Sequence, residues 1–443
     1  MRAAFLFALS LLLSFPARAT PPDAAVVAPG HATVPLTGPW RFHTGDDPQW
    51  SASGFDDSAW EIVDLTSAPG AHDGDVGLPG YVTGWSKRGH AGYSGYAWYR
   101  LRVTVDSDEP LALAGPTLVD STYELYVDGK RVGGPGDFSG ATPAVFSVRP
   151  AVYALPPRTA AGPVTYQLAF RVWMDPLDAS EESGGLHVAP AIGTVEGVHQ
   201  LYQVQWLQTF KGYVVDAIEP FAFCLLALMV VALIACRSDD PYRWLVTALV
   251  LLALMRVQQV MFYWTPFLSL RWYDVLVTVI CRPLVLASWT LAWRDWFRLE
   301  RKLAFNYVVV GLTVAYLLLA LLGRPWLIAS PGVRTAADLG VTGVRWLFAA
   351  VYLWTIGAGV ARASLPARLL GALSALLVGI GLFATELNTL GIPGIWFPYG
   401  TGVARGQYAY AAFVVVLFVL ILLRAVGYAR RAESRDRRMR NEV

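Results

Sequence analysis

Three pairs of adjacent acids, Asp46/Asp47, Asp56/Asp57 and Glu181/Glu182, carry the chemistry that could cut a glycosidic bond. That reaction needs two carboxylates about 5 to 10 Å apart. Sequence neighbours in turns point apart, so these residues are expected to be turn, cap or solvated groups. His72, Asp73 and Asp75 would offer calcium three ligands where it takes roughly six to eight. There is no CxxC spacing, no His/Cys cluster and no histidine after His199, so no metal and no cofactor is expected. A second ionisable set stands where charge is costly: Asp216, Glu219, Arg256, Arg282, Arg345 and Glu386, with Asn388, all lie within long apolar runs. At 1.5 Å rise per residue, positive and negative groups fall at similar depth, near the midplane or outward of it. Two readings stay open, a charge network that ties helices together and a polar pocket or switch open to the outside.

The elements that must position these groups follow from the order of the chain. Arg2, the apolar run AAFLFALSLLLSF and Ala17-Arg18-Ala19 read as a secretory leader over residues 1–19, with a mature start near Thr20. Seven apolar runs, at about residues 213–235, 244–263, 272–293, 303–322, 339–360, 367–390 and 408–423, each approach the ~20 residues that a bilayer core requires. The formal charge of +2 hides an asymmetry, since residues 20–200 hold 21 acids and 10 bases while residues 201–443 hold 12 and 23. The arginines sit in short loops beside apolar runs and in the tail, which is an orientation signal rather than a nucleic-acid footprint. Residues 20–205 are therefore expected outside an inner membrane, residues 206–427 within it, and residues 428–443 as a basic cytoplasmic tail. Trp264, Trp272, Trp326, Trp396 and Tyr399 are expected at the outer boundary, against membrane lipid. Cys224, Cys236 and Cys281 all fall in or beside the apolar part, so the exported region folds without disulfides.

That region is written in strands. YAWYRLRVTV, YELYVDGKRVGG and VTYQLAFRVW alternate apolar and polar residues, and Asp128-Gly129 is a type I′ hairpin turn between two of them. The expected fold is an all-β sandwich of the jelly-roll kind, followed by an all-α seven-helix bundle. Trp40 and Trp60, at strand starts, are expected in its core. The polar, Gly-rich yet aromatic segment from Trp85 to Tyr96 is the expected ligand loop, with Trp85, His90, Tyr93 and Tyr96 as contact residues. Truncating Trp85 is expected to spare the fold.

The stretch from Gly38 to Leu65, with Trp40, Phe42, Asp56, Asp57, Ser58 and Trp60, resembles the opening of the galactose-binding-like jelly roll in family 2 glycoside hydrolases, whose catalytic barrel has no counterpart here. The whole order of parts resembles bacterial seven-transmembrane receptors with diverse intracellular signalling modules. The resemblance implies a carbohydrate-like or other small ligand outside, and an output through a cytoplasmic enzyme such as a protein-serine/threonine phosphatase, a kinase or a cyclase. Only twenty residues follow Leu423, so the output module is expected on a separate partner or in a missing C-terminal part. No enzymatic activity is expected of the chain itself, and a homodimer is compatible with the reading. Two rivals remain, a transporter using Arg256, Arg282 and Glu386, and a membrane-bound enzyme using Asp216, Glu219 and Glu386.

Overall fold

The computed structural model describes residues 33–73, 78–157, 162–235, 242–300, 303–362, 365–392, 394–396 and 403–441. The leader at residues 1–19, Asp75, Cys236 and Tyr399 lie outside them. Ten short strands build the amino-terminal part: β1 (Thr33–Pro35), β2 (Trp40–Thr44), β3 (Glu61–Val63), β4 (Gly95–Val105), β5 (Leu111–Ala114), β6 (Thr122–Val127), β7 (Lys130–Gly133), β8 (Val152–Ala154), β9 (Val164–Met174) and β10 (Ala191–Thr194).

They form two antiparallel sheets, of order β3-β2-β4-β9-β6-β7 and β1-β10-β5-β8. The centre is the β4–β9 ladder, paired from Gly95↔Met174 to Val105↔Val164. Its alternation sorts the side chains as the sequence pattern requires. Ala97, Tyr99 and Leu101 lie opposite Val172, Phe170 and Leu168 and face an apolar core shared with Leu111, Leu113 and Ile192 of the other sheet. Trp40 and Phe170 meet edge-to-face in that core at 5.7 Å. Asp128 and Gly129 take φ of 50° and 80°, the left-handed values a type I′ turn demands.

The opposite face of the six-stranded sheet is also covered. Trp50, Phe55 and Trp60, from the segment before β3, pack on Trp98, Ala169 and Tyr126. Arg100 is wholly buried under this segment, donating from Nε to Asp57 at 2.7 Å and from Nη2 to the Ala52 carbonyl at 3.1 Å. The acid pairs take the separate roles expected of turn residues: Asp47 accepts the Gln49 N–H at 2.9 Å and Asp56 the Ser58 N–H at 3.0 Å.

Eight helices follow: α1 (Val195–Ala235), α2 (Arg243–Trp264), α3 (Leu270–Trp296), α4 (Leu303–Leu322), α5 (Pro331–Arg362), α6 (Leu365–Leu382), α7 (Ala384–Thr389) and α8 (Arg405–Asn441). Six of them, α1 to α5 and α8, are long and apolar enough to cross a membrane. The sixth expected span, 367–390, is not one helix. It breaks at Phe383 (φ −107°, ψ 31°) into α6 and α7, so among the described residues six helices, rather than the expected seven, meet that length and apolarity.

Two further irregularities bear on the site. Residues Asp274–Cys281 of α3 form a π-helical segment, in which the Arg282 N–H reaches the Val277 carbonyl five residues back. Pro283, next in the chain, has no N–H and its ring clashes with an α-helical carbonyl four residues earlier, which gives the wider turn a cause. In α1, Pro220 likewise deprives the Asp216 carbonyl of its usual donor.

Helix α1 begins at the residue after β10, with the Thr194 hydroxyl accepting the Gly197 N–H at 3.1 Å as a cap. Its first turns lay Val198 and Leu201 on Ala112, Ala114 and Ala191 of the four-stranded sheet. Farther along, Phe223, Leu226 and Val230 enter the bundle core. A second attachment joins the Leu270 N–H to the Val145 carbonyl at 2.8 Å and Arg149 Nη1 to the Trp264 carbonyl at 3.2 Å.

Candidate functional site

Within the helical bundle, a cavity of about 360 Å³ opens among α1, α2, α3, α5, α6, α7 and α8. Its polarity comes from four arginines, Arg256, Arg282, Arg345 and Arg405. Burying such charges is tolerable only when partners replace the lost water. Arg256 has two: Nε lies 2.8 Å from Glu219 Oε2 and Nη1 3.3 Å from Asp216 Oδ1, both acids being on α1. Gln259 accepts from Arg256 Nη1 at 2.6 Å and donates to Asp216 Oδ2 at 3.4 Å. The Tyr410 ring closes this cluster, its centroid 4.8 Å from the Arg256 guanidinium carbon.

Arg345 on α5 is held by a two-pronged pair to Glu386 of α7, with Nε–Oε1 at 2.5 Å and Nη2–Oε2 at 2.6 Å. Its Nη2 also reaches the Leu382 carbonyl at 3.3 Å, at the end of α6. Glu386 follows the break at Phe383, in the first turn of α7. Arg405 opens α8 and is 2% exposed; it donates to the carbonyls of Ile392 and Ala384 at 2.7 and 2.9 Å and to Asn388 Oδ1 at 2.9 Å. Arg282 differs from the other three, which are buried. It lines the cavity and is exposed there, and among the described residues no carboxylate stands within ion-pair distance of it.

The expected polar network is thus divided. Asp216, Glu219 and Arg256 come together, as do Arg345 and Glu386, while Asn388 joins Arg405. Glu386, at a depth similar to that of Arg282, is occupied by Arg345. Arg405 was missed because it precedes the seventh apolar run and read as a loop residue. Gln259, Gln407 and Tyr410 also line the cavity, and of these only Gln259, three residues after Arg256, had a signal in helical spacing.

Below the cavity the bundle is filled by aromatic rings. Trp289 meets Phe413 edge-on at 5.2 Å and stacks on Trp293 at 5.8 Å, and all three are buried. At the far end, the Arg424 guanidinium carbon of α8 sits 3.6 Å from the Trp296 ring centroid, and Tyr428 meets Tyr242 hydroxyl to hydroxyl at 3.1 Å.

A second cavity, about 280 Å³, lies between the sheets and the bundle. Asp120, Ser121 and Asp178 line it from the sheet side, and Tyr263 and Tyr273 line both it and the larger cavity. His187 is held there by Asp120, Nε2 to Oδ2 at 2.8 Å, and by the Val82 carbonyl at 2.7 Å, with Tyr81 stacked on it at 5.0 Å. Burial works against its charged form, yet the hydrogen bond and charge of Asp120 carry its pKa above the ordinary histidine value. Asp178 accepts from the Ser121 hydroxyl at 2.5 Å, and burial, aided by the charges of Asp120, Asp175 and Asp274, pushes its carboxyl up to about 7.

The expected ligand loop has a different character from the one its composition suggests. Trp85 is 1% exposed, packs on Phe42 at 5.7 Å and donates from its indole to the Tyr93 carbonyl at 3.1 Å. It is a core residue, so the expectation that its truncation spares the fold is reversed. Gly84, just before it, has room for no side chain: a Cβ there would stand 2.3 Å from the Ser183 backbone. Tyr93 donates to the Tyr96 carbonyl at 2.5 Å and accepts from the Gly45 N–H at 3.1 Å. His90 pairs with Glu61 at 2.6 Å while part of its ring stays accessible. Tyr96 is half-buried beneath Arg171, whose guanidinium carbon is 4.6 Å from the ring centroid. Arg171 in turn is clasped by Asp46 through Nε at 2.8 Å and Nη2 at 2.6 Å.

No family model matches the chain, and no curated protein matches it. Among solved structures, a β-glucuronidase of Bacteroides uniformis is similar at 19% identity and a TM-score of 0.27, over 37% of this chain and 18% of that one. A glycosyl hydrolase family 2 member from Bacteroides cellulosilyticus gives 17% identity and a TM-score of 0.25, over 36% and 20%. The β-glucuronidase of Ruminococcus gnavus gives 12% and 0.25, over 38% and 29%. The chain thus spans less than a third of the length of each of these enzymes.

Proposed function

We propose that the chain is a membrane sensory receptor. Its amino-terminal sheets, read as a galactose-binding-like jelly roll, bind a carbohydrate-like or other small ligand outside the inner membrane. The helices carry the signal to a cytoplasmic output module that is a separate partner or a C-terminal extension. The chain acts by binding rather than by catalysis.

One observation carries this reading: α1 runs from the last strand of the sheets into the bundle core without a linker, 41 residues or about 60 Å at the helical rise. A shift in sheet packing on Val198 and Leu201 is therefore a shift of the helix that bears Asp216 and Glu219.

The test uses the full chain in lipid nanodiscs, with spin labels replacing Arg243 and Arg430 at the end of the bundle remote from the sheets. A glycan and small-metabolite array is scanned for binding, and hits are added to the labelled protein. The reading expects at least one hit that changes the label distance, and loss of that response when residues 33–190 are removed. Hits that leave the distance unchanged, or a response that survives the truncation, would contradict it.

A further inference from the structure

We infer that the larger cavity is a binding site for a small organic monoanion, with the Arg282 guanidinium as the group that meets its charge. The argument begins with the charge balance of the walls. Two of the four arginines are matched inside the protein, Arg256 by Asp216 and Glu219 and Arg345 by Glu386. Arg282 brings a further positive charge into the same space, and a guanidinium does not shed its proton to relieve the cost of burial. With Arg256 and Arg345 so matched, the exposed Arg282 guanidinium leaves room for one negative charge, which favours a monoanion over a dianion.

The geometry of α3 puts that charge where it is. The π-helical segment Asp274–Cys281 ends on the Arg282 N–H, and the wide turn sets Tyr273, Val277 and Arg282 on the cavity wall together. Such insertions recur at functional sites because they re-aim side chains that a regular helix would turn elsewhere.

The walls also supply a second recognition element. Thr385 and Asn388, exposed on α7, line the same cavity as Arg282. The carbonyl of Asn388 is taken by Arg405, which leaves its amide NH₂ as a donor. Val277, Leu286 and the Tyr410 ring provide apolar surface for the body of the guest. A volume of about 360 Å³ belongs to the small end of ligand cavities. Guanidinium, amide and hydroxyl donors around one apolar-walled space suit a carboxylate on a compact aliphatic or aromatic body.

This inference does not depend on the receptor reading, because binding is measured without any output. The full chain is placed in phosphatidylcholine nanodiscs, and acetate, benzoate, benzamide and inorganic phosphate are titrated in turn while thermal unfolding is followed. Acetate or benzoate should raise the melting temperature in a saturable way, and benzamide, of the same shape as benzoate but uncharged, should not. Phosphate should be at least tenfold weaker than the better carboxylate. Arg282→Gln should weaken that carboxylate at least tenfold and Arg282→Lys should restore part of the loss. Adding phosphatidylglycerol separates two sources of the anion: competition with the carboxylate would assign the site to a lipid headgroup, and its absence to a soluble guest. Equal responses to benzoate and benzamide, no response to either carboxylate, or undiminished binding in Arg282→Gln would overturn the inference. Should Arg282→Gln not fold, the charged and uncharged pair on the unaltered chain still decides it.

Discussion

The sheets and the bundle both bury arginines, and they solve the problem differently. Arg100 and Arg171 lie on the second face of the six-stranded sheet, where a covering segment supplies carbonyls to Arg100 and one carboxylate partner of each arginine keeps contact with solvent: Asp57 and Asp46 are 24% and 23% exposed, while Glu124, the second partner of Arg171, is 6% exposed. In the bundle, Asp216, Glu219 and Glu386 are at most 5% exposed, and the charge that meets each is the arginine opposite. Where water stands by, a broken pair can be rehydrated; where apolar helices stand by, it cannot. The comparison teaches that charge in the sheets is a local fixture, whereas charge in the bundle makes the helices depend on one another.

The sharpest way to break this contrast is Glu386→Gln. It strands Arg345, and the expected loss in bundle stability is about 3 to 5 kcal/mol. Adding Arg345→Gln should return part of it, giving a coupling of about 0.5 to 3 kcal/mol, whereas adding Arg282→Gln should be additive. Coupling in the second pair and none in the first, by denaturation in mixed micelles, would return Glu386 to Arg282. In the sheets the corresponding large effect comes from packing rather than charge: Trp85→Ala should cost about 3 to 5 kcal/mol, like Trp40→Ala. A melting temperature of the Trp85 variant within a degree or two of the parent would restore the loop reading.

Gly381→Ala is an intermediate case. A Cβ at Gly381 would stand 2.2 Å from the Tyr410 ring, the same ring that covers Arg256. Overpacking here should cost about 1 to 3 kcal/mol, and Tyr410→Phe should not relieve it, because ring carbons as well as the hydroxyl are in the way. The pH response comes next. A carboxyl raised from 3.8 to about 7, as at Asp178, adds stability that is fully present below pH 3.8 and is lost as pH rises through about 7. The sheet transition should therefore drop in temperature across that interval, and Asp178→Asn should flatten the drop; an unchanged slope would remove Asp178 from the account. Last, Lys87→Ala breaks an exposed pair with Glu182, 47% and 53% accessible, and should change stability by less than about 1 kcal/mol.

Much of this was legible in the sequence, and the exceptions share a cause. The strands β4, β6 and β9 and the Asp128-Gly129 turn follow from alternation and turn chemistry, which are local. The helix Leu303–Leu322 coincides with its apolar run, and Arg243–Trp264 exceeds its run by one residue at each end. Rise per residue places Arg256, Arg282 and Glu386 at similar depth, yet depth is only one coordinate. Which way each side chain turns about its helix axis depends on packing, on the π segment before Arg282 and on the break at Phe383, and of the two irregularities only the first is marked in the sequence, by Pro283. Trp85 was misjudged for a related reason. A polar, Gly-rich segment reads as an exposed loop, but its flanking glycines allow the backbone to press close to Ser183 and so drive the indole inward. The Asp56-Asp57-Ser58-x-Trp60 motif proves to be the clasp over Arg100 and Trp98, which explains its residue types by packing alone.

The unbroken passage of α1 from β10 to the bundle makes its length a phase as well as a distance. Each residue inserted between the sheet contacts at Val198 and the acids at Asp216 and Glu219 would turn one end against the other by about 100°. One or two added residues would swing both acids off Arg256, whereas seven, about two full turns, would bring them nearly back while lifting the sheets about 10 Å from the loop between α2 and α3. The two attachments between the sheets and the bundle therefore act as a vernier, in which azimuth is read at Arg256 and height at Val145.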